Sequence, residues 1–263
     1  MAGIAEQQAW IESRFQPYRV VEVDGNTPQG LLTGYYEPVL PASRIPTFSH
    51  RVPVYAPPVG VRMSNEQPWY SRQDIDSLPA AQAALKGRVI AWLSDPIDAM
   101  VLHVQGSGRL NIKEADGTTQ QVRVTFQTSN GHTFKSPVRW LLDQREIREA
   151  TWEGARAWAA QNSKRLNEML WSNPRVVFFR EVKLTELDAK FGPPGAQRVA
   201  LTPGRSIAVD PLAVPYGTPV WIASKGVMYN QQKLVMAQDT GNAIVGPARA
   251  DLFTGWGGYG DPA

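Results

Sequence analysis

Two aspartates near the C-terminus offer the most explicit chemistry in the chain. Asp251 lies in Arg249-Ala250-Asp251-Leu252-Phe253, and Asp239 lies in Gln238-Asp239-Thr240-Gly241. Glycosidic cleavage normally employs two carboxyl groups, an acid with a raised pKa and a base or nucleophile. Asp251 has apolar neighbours whose desolvation would raise its pKa, which is what a general acid needs near neutral pH. Asp239 stands before Thr-Gly, where an aspartate commonly caps a turn. Other polar and aromatic candidates cluster in short motifs. Tyr35 and Tyr36 precede Glu37-Pro38, Gln105, Ser107 and Arg109 lie together, and Asn130-Gly131-His132 reads as a polar turn. Nine tryptophans are many for 263 residues. Aromatic faces stack on sugar rings while Tyr, Gln and Asn read hydroxyls and amides. Most of these aromatics belong in a core, so the count alone supports carbohydrate handling only weakly.

Several other chemistries are disfavoured. With no cysteine, there is no disulfide scaffold, thiolate metal site or cysteine nucleophile. The three histidines, His50, His103 and His132, lack the HExxH spacing of a zinc hydrolase, so neither a metal nor a cofactor is expected. The net charge of +3 is too mild for an electrostatic nucleic-acid binder. The 255–260 segment matches GxGxxG, but no helix follows to aim its N-terminus at a pyrophosphate. Gly106-Ser107-Gly108 is not the GxSxG elbow of a hydrolase. His103 reads as a packed or surface residue of a strand rather than a catalyst.

These residues need a scaffold. At 43% hydrophobic and 19% charged, the chain can bury a core. Its length suits one or two domains. Period-two alternation in 101–104, 121–126, 206–210, 218–222 and 233–237 predicts strands, which dominate 30–130 and 198–255. From 136 to 171 the period turns helical. Ser136-Pro137 predicts an N-cap with proline at the first helical position. Thr151 and Ser163 predict two further caps, and Ser71 with Asp74 a weaker capping box. Asn173-Pro174 ends the helical stretch. The 188–197 segment, with Gly192-Pro193-Pro194-Gly195, predicts a linker or long loop. The class is therefore mainly β, or α+β, with a few helices. No apolar run reaches the ~18 residues of a membrane span. The N-terminus lacks both a basic and an apolar export region. That fits a cytoplasmic chain, or one whose exporting segment is absent from this sequence.

The ordered set of motifs resembles the membrane-bound lytic murein transglycosylase A family. The motifs are Thr33 to Pro38, Val104 to Leu110, Asn130-Gly131-His132, Val176 to Phe179, Ser206 to Asp210 with Val214 to Thr218, and Gln238 to Ile244 through Asp251. Each is modest alone, but the order is specific. The resemblance implies a double-psi β-barrel catalytic domain from 1–38 and 185–263. A second β-rich domain with a few helices is inserted as 39–184, and glycan binds in the groove between them.

It further implies cleavage of the β-1,4 bond between N-acetylmuramic acid and N-acetylglucosamine, without water, leaving 1,6-anhydromuramic ends. Asp251 matches the catalytic aspartate and Asp239 a supporting one. Tyr35, Tyr36, Gln105, Ser107 and Arg109 are the expected substrate contacts. The implied location is the periplasm, with any outer-membrane anchor lying in the precursor. The implied partners are peptidoglycan strands and cell-wall synthesis or division proteins; the oligomeric state is not readable. Asn242 stands where the family usually has a second glycine, a position whose backbone Asn tolerates better than most residues. The 125–129 segment also departs from the family pattern. The family continues past the point where this chain stops, so the alternative is a non-catalytic peptidoglycan-binding module. A hydrolase with a second carboxylate is a third reading.

Overall fold

A computed structural model describes residues 3–22, 30–225 and 230–257. Helix α1 (Ile4–Glu12) precedes strand β1 (Leu31–Ser43), and β1 organises everything that follows. Next come β2 (Val52–Tyr55), α2 (Arg72–Ser77), α3 (Pro79–Ala84), β3 (Val89–Leu93), α4 (Pro96–Gln105), β4 (Ser107–Lys113) and β5 (Thr119–Ser129). Helices α5 (Pro137–Asp143), α6 (Trp152–Gln161) and α7 (Leu166–Trp171) lead to β6 (Val177–Lys183). Strands β7 (Ser206–Val209), β8 (Pro219–Lys225), β9 (Asn230–Asp239) and β10 (Arg249–Gly257) complete the order. The strand-rich α+β class expected from composition and period is the one the chain adopts. Part of the 255–260 glycine run lies outside the described residues.

Strand β1 serves two sections of sheet. Leu31 to Pro38 pair in parallel with β10, and Val39 to Ser43 pair in parallel with β4. Its last two residues also meet β3 in antiparallel fashion. One section runs β1-β10-β7-β9-β8, and the other runs β1-β4-β5-β6 with β3 and β2 alongside. Each section has its own apolar face. Leu40, Leu110, Ile112, Val122, Val124 and Phe179 form one core, and Ile207, Val209, Ile222, Val235 and Leu252 form another. The helices α4 to α7 bury Met100, Leu141, Trp158 and Met169 among themselves. A cavity of about 1320 Å³ lies along the second sheet face, lined by Leu32, Val209, Val220, Ile222 and Leu252 among others.

Three helix starts behave as the sequence predicts, and a fourth does not. Ser71 and Asp74 form the capping box of α2, Ser136 accepts from the Arg139 N–H ahead of α5, and Thr151 accepts from the Gly154 N–H ahead of α6. Ser163 begins a 3-10 turn that runs into α7, without capping it through its side chain. The segment 101–104 is a correction. It is helix α4, not a strand, with Asp95 as N-cap, Pro96 in the first turn and Gly106 as a left-handed C-cap. Ile97, Met100 and Val101 keep helical spacing, but Leu102 is buried too, so apolar residues surround the helix and hide its period. The 188–197 segment is not slack either. Gly192 N–H donates to the Leu201 carbonyl at 2.7 Å and Gly195 N–H to that of Val199 at 2.9 Å. A Cβ on Gly192 would meet the Phe253 ring at 2.4 Å, so only glycine permits this close packing.

Candidate active site

Four strands put the chemistry in one transverse row. Thr33 of β1 is in register with Asp251 of β10, Asp251 with Ala208 of β7, and Ala208 with Asp239 of β9. At a strand spacing of about 4.8 Å, the backbones of the two aspartates stand roughly 10 Å apart. The buried Ala208 is the residue in register between them. A register shift between Ile207 and Ala208 marks a bulge that re-aims Asp239. Leu32 and Leu252 line the apolar cavity while Asp251 does not, as the alternation of side chains along a strand requires.

The two carboxylates are held differently. Asp239 accepts from the Tyr35 hydroxyl at 2.7 Å and from the Ala196 N–H at 3.0 Å. Burial raises its pKa, and these hydrogen bonds oppose the rise. Burial, then the charge of Asp239, pushes the Tyr35 phenol far up, so Tyr35 is a fixed donor. Its ring leans on Phe253 at 5.3 Å. Asp251 accepts from the Thr33 hydroxyl on Oδ1 at 2.7 Å; among the described residues Oδ2 has no protein partner and no ion pair. Burial raises the Asp251 pKa, Thr33 and the charge of Arg249 oppose that, and the charge of Asp239 adds to it. Burial thus favours the protonated form of this carboxyl, and one of its oxygens has no protein partner among the described residues. It can give up a proton and take one back.

The other expected contacts divide. Tyr36 packs against the helical cluster, and its backbone N–H donates to Gln105 Oε1 at 3.1 Å. Gln105 therefore ties the end of α4 to β1. Arg109 is a correction. It is 5% exposed, and its guanidinium bonds Glu37 at 2.8 Å and the carbonyls of Asp188 at 2.7 Å and Phe191 at 3.2 Å. It also lies over the Trp256 ring at 4.0 Å, so its Nε and Nη2 groups and its flat face are engaged within the protein. Ser107 is largely buried and stands in register with Thr125. Asn130 is a fully buried stitch, bonding the carbonyls of Tyr70 and Pro174 and the Val176 N–H at 2.8 to 2.9 Å. His103 Nδ1 accepts from the Val177 N–H at 2.9 Å.

Sequence reading missed Glu37. It is completely buried and is gripped by Arg123 at 2.5 Å as well as by Arg109. Arg123 also pairs with Asp188. The signal was weak, since a lone acid before proline on an apolar strand can read as a turn residue. Thr33 was recoverable, because it stands two residues from Tyr35 on the same strand face.

Comparisons with known proteins identify the family. The model of the MltA specific insert domain matches residues 31–180, and that of the 3D domain matches 205–260. The membrane-bound lytic murein transglycosylase A of Escherichia coli (strain K12) is 28% identical over 236 residues, 86% of this chain and 59% of the relative. The chain thus spans about three fifths of that relative's length. A lytic transglycosylase, LtgG, of Burkholderia pseudomallei is 40% identical with a TM-score of 0.64, covering 97% of this chain and 73% of that one. E. coli MltA with bound chitohexaose is 27% identical with a TM-score of 0.71, covering 87% and 65%. With one family model spanning more than half of its residues and a 40% identical neighbour along nearly all of it, this chain belongs to the membrane-bound lytic murein transglycosylase A family.

Proposed function

We propose that the chain is a peptidoglycan lytic transglycosylase that cleaves between N-acetylmuramic acid and N-acetylglucosamine and closes a 1,6-anhydro ring. One observation carries the reading. Among the described residues Asp251 has no ion pair, burial raises its pKa, and Oδ2 has no protein partner while Oδ1 accepts from Thr33.

In the proposed reaction the Asp251 proton passes to the leaving glycosidic oxygen as the C1–O bond breaks. The carboxylate then takes the proton of the muramyl C6 hydroxyl, whose oxygen bonds to C1. Asp251 ends protonated, as it began, and no water is consumed. The nucleophile is tethered to the substrate, which is worth roughly 7–11 kcal/mol over a bimolecular attack, so a second carboxylate acting on water is dispensable. Asp239, fixed by Tyr35 and Ala196, serves as a support whose charge, when present, raises the Asp251 pKa. Tyr36 and Gln105 line the approach.

Residues 1–38 and 185–263 form the double-psi barrel of this reading, and 39–184 form the insert. The passage of β1 from β10 to β4 at Pro38 and Val39 supports that boundary. The glycan lies in the groove between the two, and the chitohexaose held by a structural relative supports a glycan ligand. The periplasm is the compartment of this substrate. No helix among the described residues is long and apolar enough to cross a membrane.

Digestion of purified sacculi tests the proposal. Wild-type protein yields anhydro-muropeptides by mass spectrometry, and Asp251→Asn lowers their rate about 10²–10⁴-fold with unchanged melting. Hydrated reducing ends would instead identify a hydrolase using Asp239. Sacculus binding without any product would identify a non-catalytic module.

A further inference from the structure

The loop that follows Asp239 meets the other sheet section through a second polar pair. Arg175 stands just ahead of β6, and Nη1 donates to the His132 carbonyl at 3.2 Å. Asn242 lies three residues beyond Asp239. With its amide turned to satisfy both groups, Asn242 Oδ1 accepts from Arg175 Nη2 at 2.9 Å and Nη1 at 3.1 Å. One side chain belongs to the section carrying the helices, the other to the section carrying the aspartates.

The partners of Arg175 are neutral. Arg44, Arg109, Arg123, Arg156 and Arg165 all sit in ion pairs. No carboxylate among the described residues lies within ion-pair distance of Arg175. With those bonds made, its Nε and one Nη2 hydrogen have no acceptor among the described residues, out of the five donors a guanidinium carries. Its partly buried position and the charge of nearby Arg72, which acts with it on His103, make this corner positive. The charge that lowers the Asp251 pKa comes from Arg249, so Arg175 stands off the proposed acid. A half-buried, fixed guanidinium with spare donors is suited to a carboxylate, which it can bind with two parallel hydrogen bonds.

A glycan backbone of N-acetylated sugars is neutral. Its muramyl units carry carboxyl chemistry on the lactyl ether, either as the free lactyl carboxylate or as the carboxylates of an attached peptide. We propose that Arg175, braced by Asn242, is a specificity-determining residue that reads a carboxylate on the muramyl substituent. This rests on the peptidoglycan reading above and adds the feature of the strand that this corner recognises.

Titration calorimetry in the Asp251→Asn background, which prevents turnover, tests it with three probes. These are peptide-bearing glycan strands, amidase-stripped strands with free lactyl carboxylates, and chitohexaose, which has no carboxylate. Arg175→Ala is expected to weaken a carboxylate-bearing probe roughly ten- to a hundredfold and to leave chitohexaose unchanged. Loss on peptide-bearing strands alone assigns a peptide carboxylate; loss on stripped strands assigns the lactyl group. Arg175→Lys, which keeps the charge without the planar fork, loses part of the affinity for the same probe and serves if the alanine variant does not fold. Equal weakening of all three probes, or no change in any, overturns the proposal. A parent that binds none of the three sinks the peptidoglycan reading itself.

Discussion

Replacing Glu37 by glutamine would test how the two sheet sections are joined. Glu37 is completely buried. It receives Arg109 Nε at 2.8 Å, Arg123 Nε at 2.5 Å and Arg123 Nη2 at 3.1 Å. Glu37, Arg109, Arg123 and Asp188 carry two negative and two positive charges, so the group is neutral as a set. Glutamine keeps the shape but removes one negative charge and turns one acceptor into a donor facing guanidinium donors. Asp188 then faces two arginines alone. Breaking a buried pair by removing one partner costs about 3–5 kcal/mol. At about 2–4 °C per kcal/mol for a chain of this size, Glu37→Gln should melt roughly 6–20 °C lower. Circular dichroism on matched samples reads the difference. A variant melting within about 2 °C of wild type would refute the view that this group locks β1 to β4, β5 and β10.

Two further outcomes concern protons. Thr33→Val removes the hydroxyl that stabilises ionised Asp251, so the alkaline limb of kcat/KM should move to higher pH; an unmoved limb would mean that another group sets it. The pKa of His103 is held well below the ordinary range, by burial first and then by the charges of Arg72 and Arg175. A depressed folded pKa gives stability that is present above the unfolded value of about 6.5 and is lost as pH falls toward the folded value. His103→Gln, which keeps an acceptor for the Val177 N–H, should flatten that acid-side decline in urea midpoints; an unchanged slope would exclude His103 as its source.

Local chemistry was legible in the sequence where the signal was local. The caps at Ser71, Ser136 and Thr151 lie within a few residues of the N–H groups they serve, and the alternating strands of the C-terminal third show their period directly. The raised pKa of Asp251 was anticipated from its apolar sequence neighbours, although burial from the surrounding strands produces it. Helix α4 was misread because Ala99 to Leu102 form an unbroken buried apolar run that hides the helical period, although Asp95-Pro96 and Gly106 marked its ends. Arg109 was misread because its counter-charge Glu37 lies 72 residues away, beyond the reach of any spacing rule. The row from Thr33 to Asp239 depends on strand order, and no local pattern states which strands are neighbours. Arg175 gave no signal either, since its meaning lies in the carboxylate it lacks.

The double service of β1 also sets a timetable for folding. Strands β4, β5 and β6 follow β1 within the first 183 residues and can assemble around its C-terminal half early. Its N-terminal half must wait for β10, a partner 218 residues away at the Thr33–Asp251 contact. Closing so long a loop is entropically slow. Until then a row of unpaired backbone groups stays open to other chains. The chain is therefore most prone to aggregate when half of it is already native, and the last contact to form is the one that completes the aspartate row.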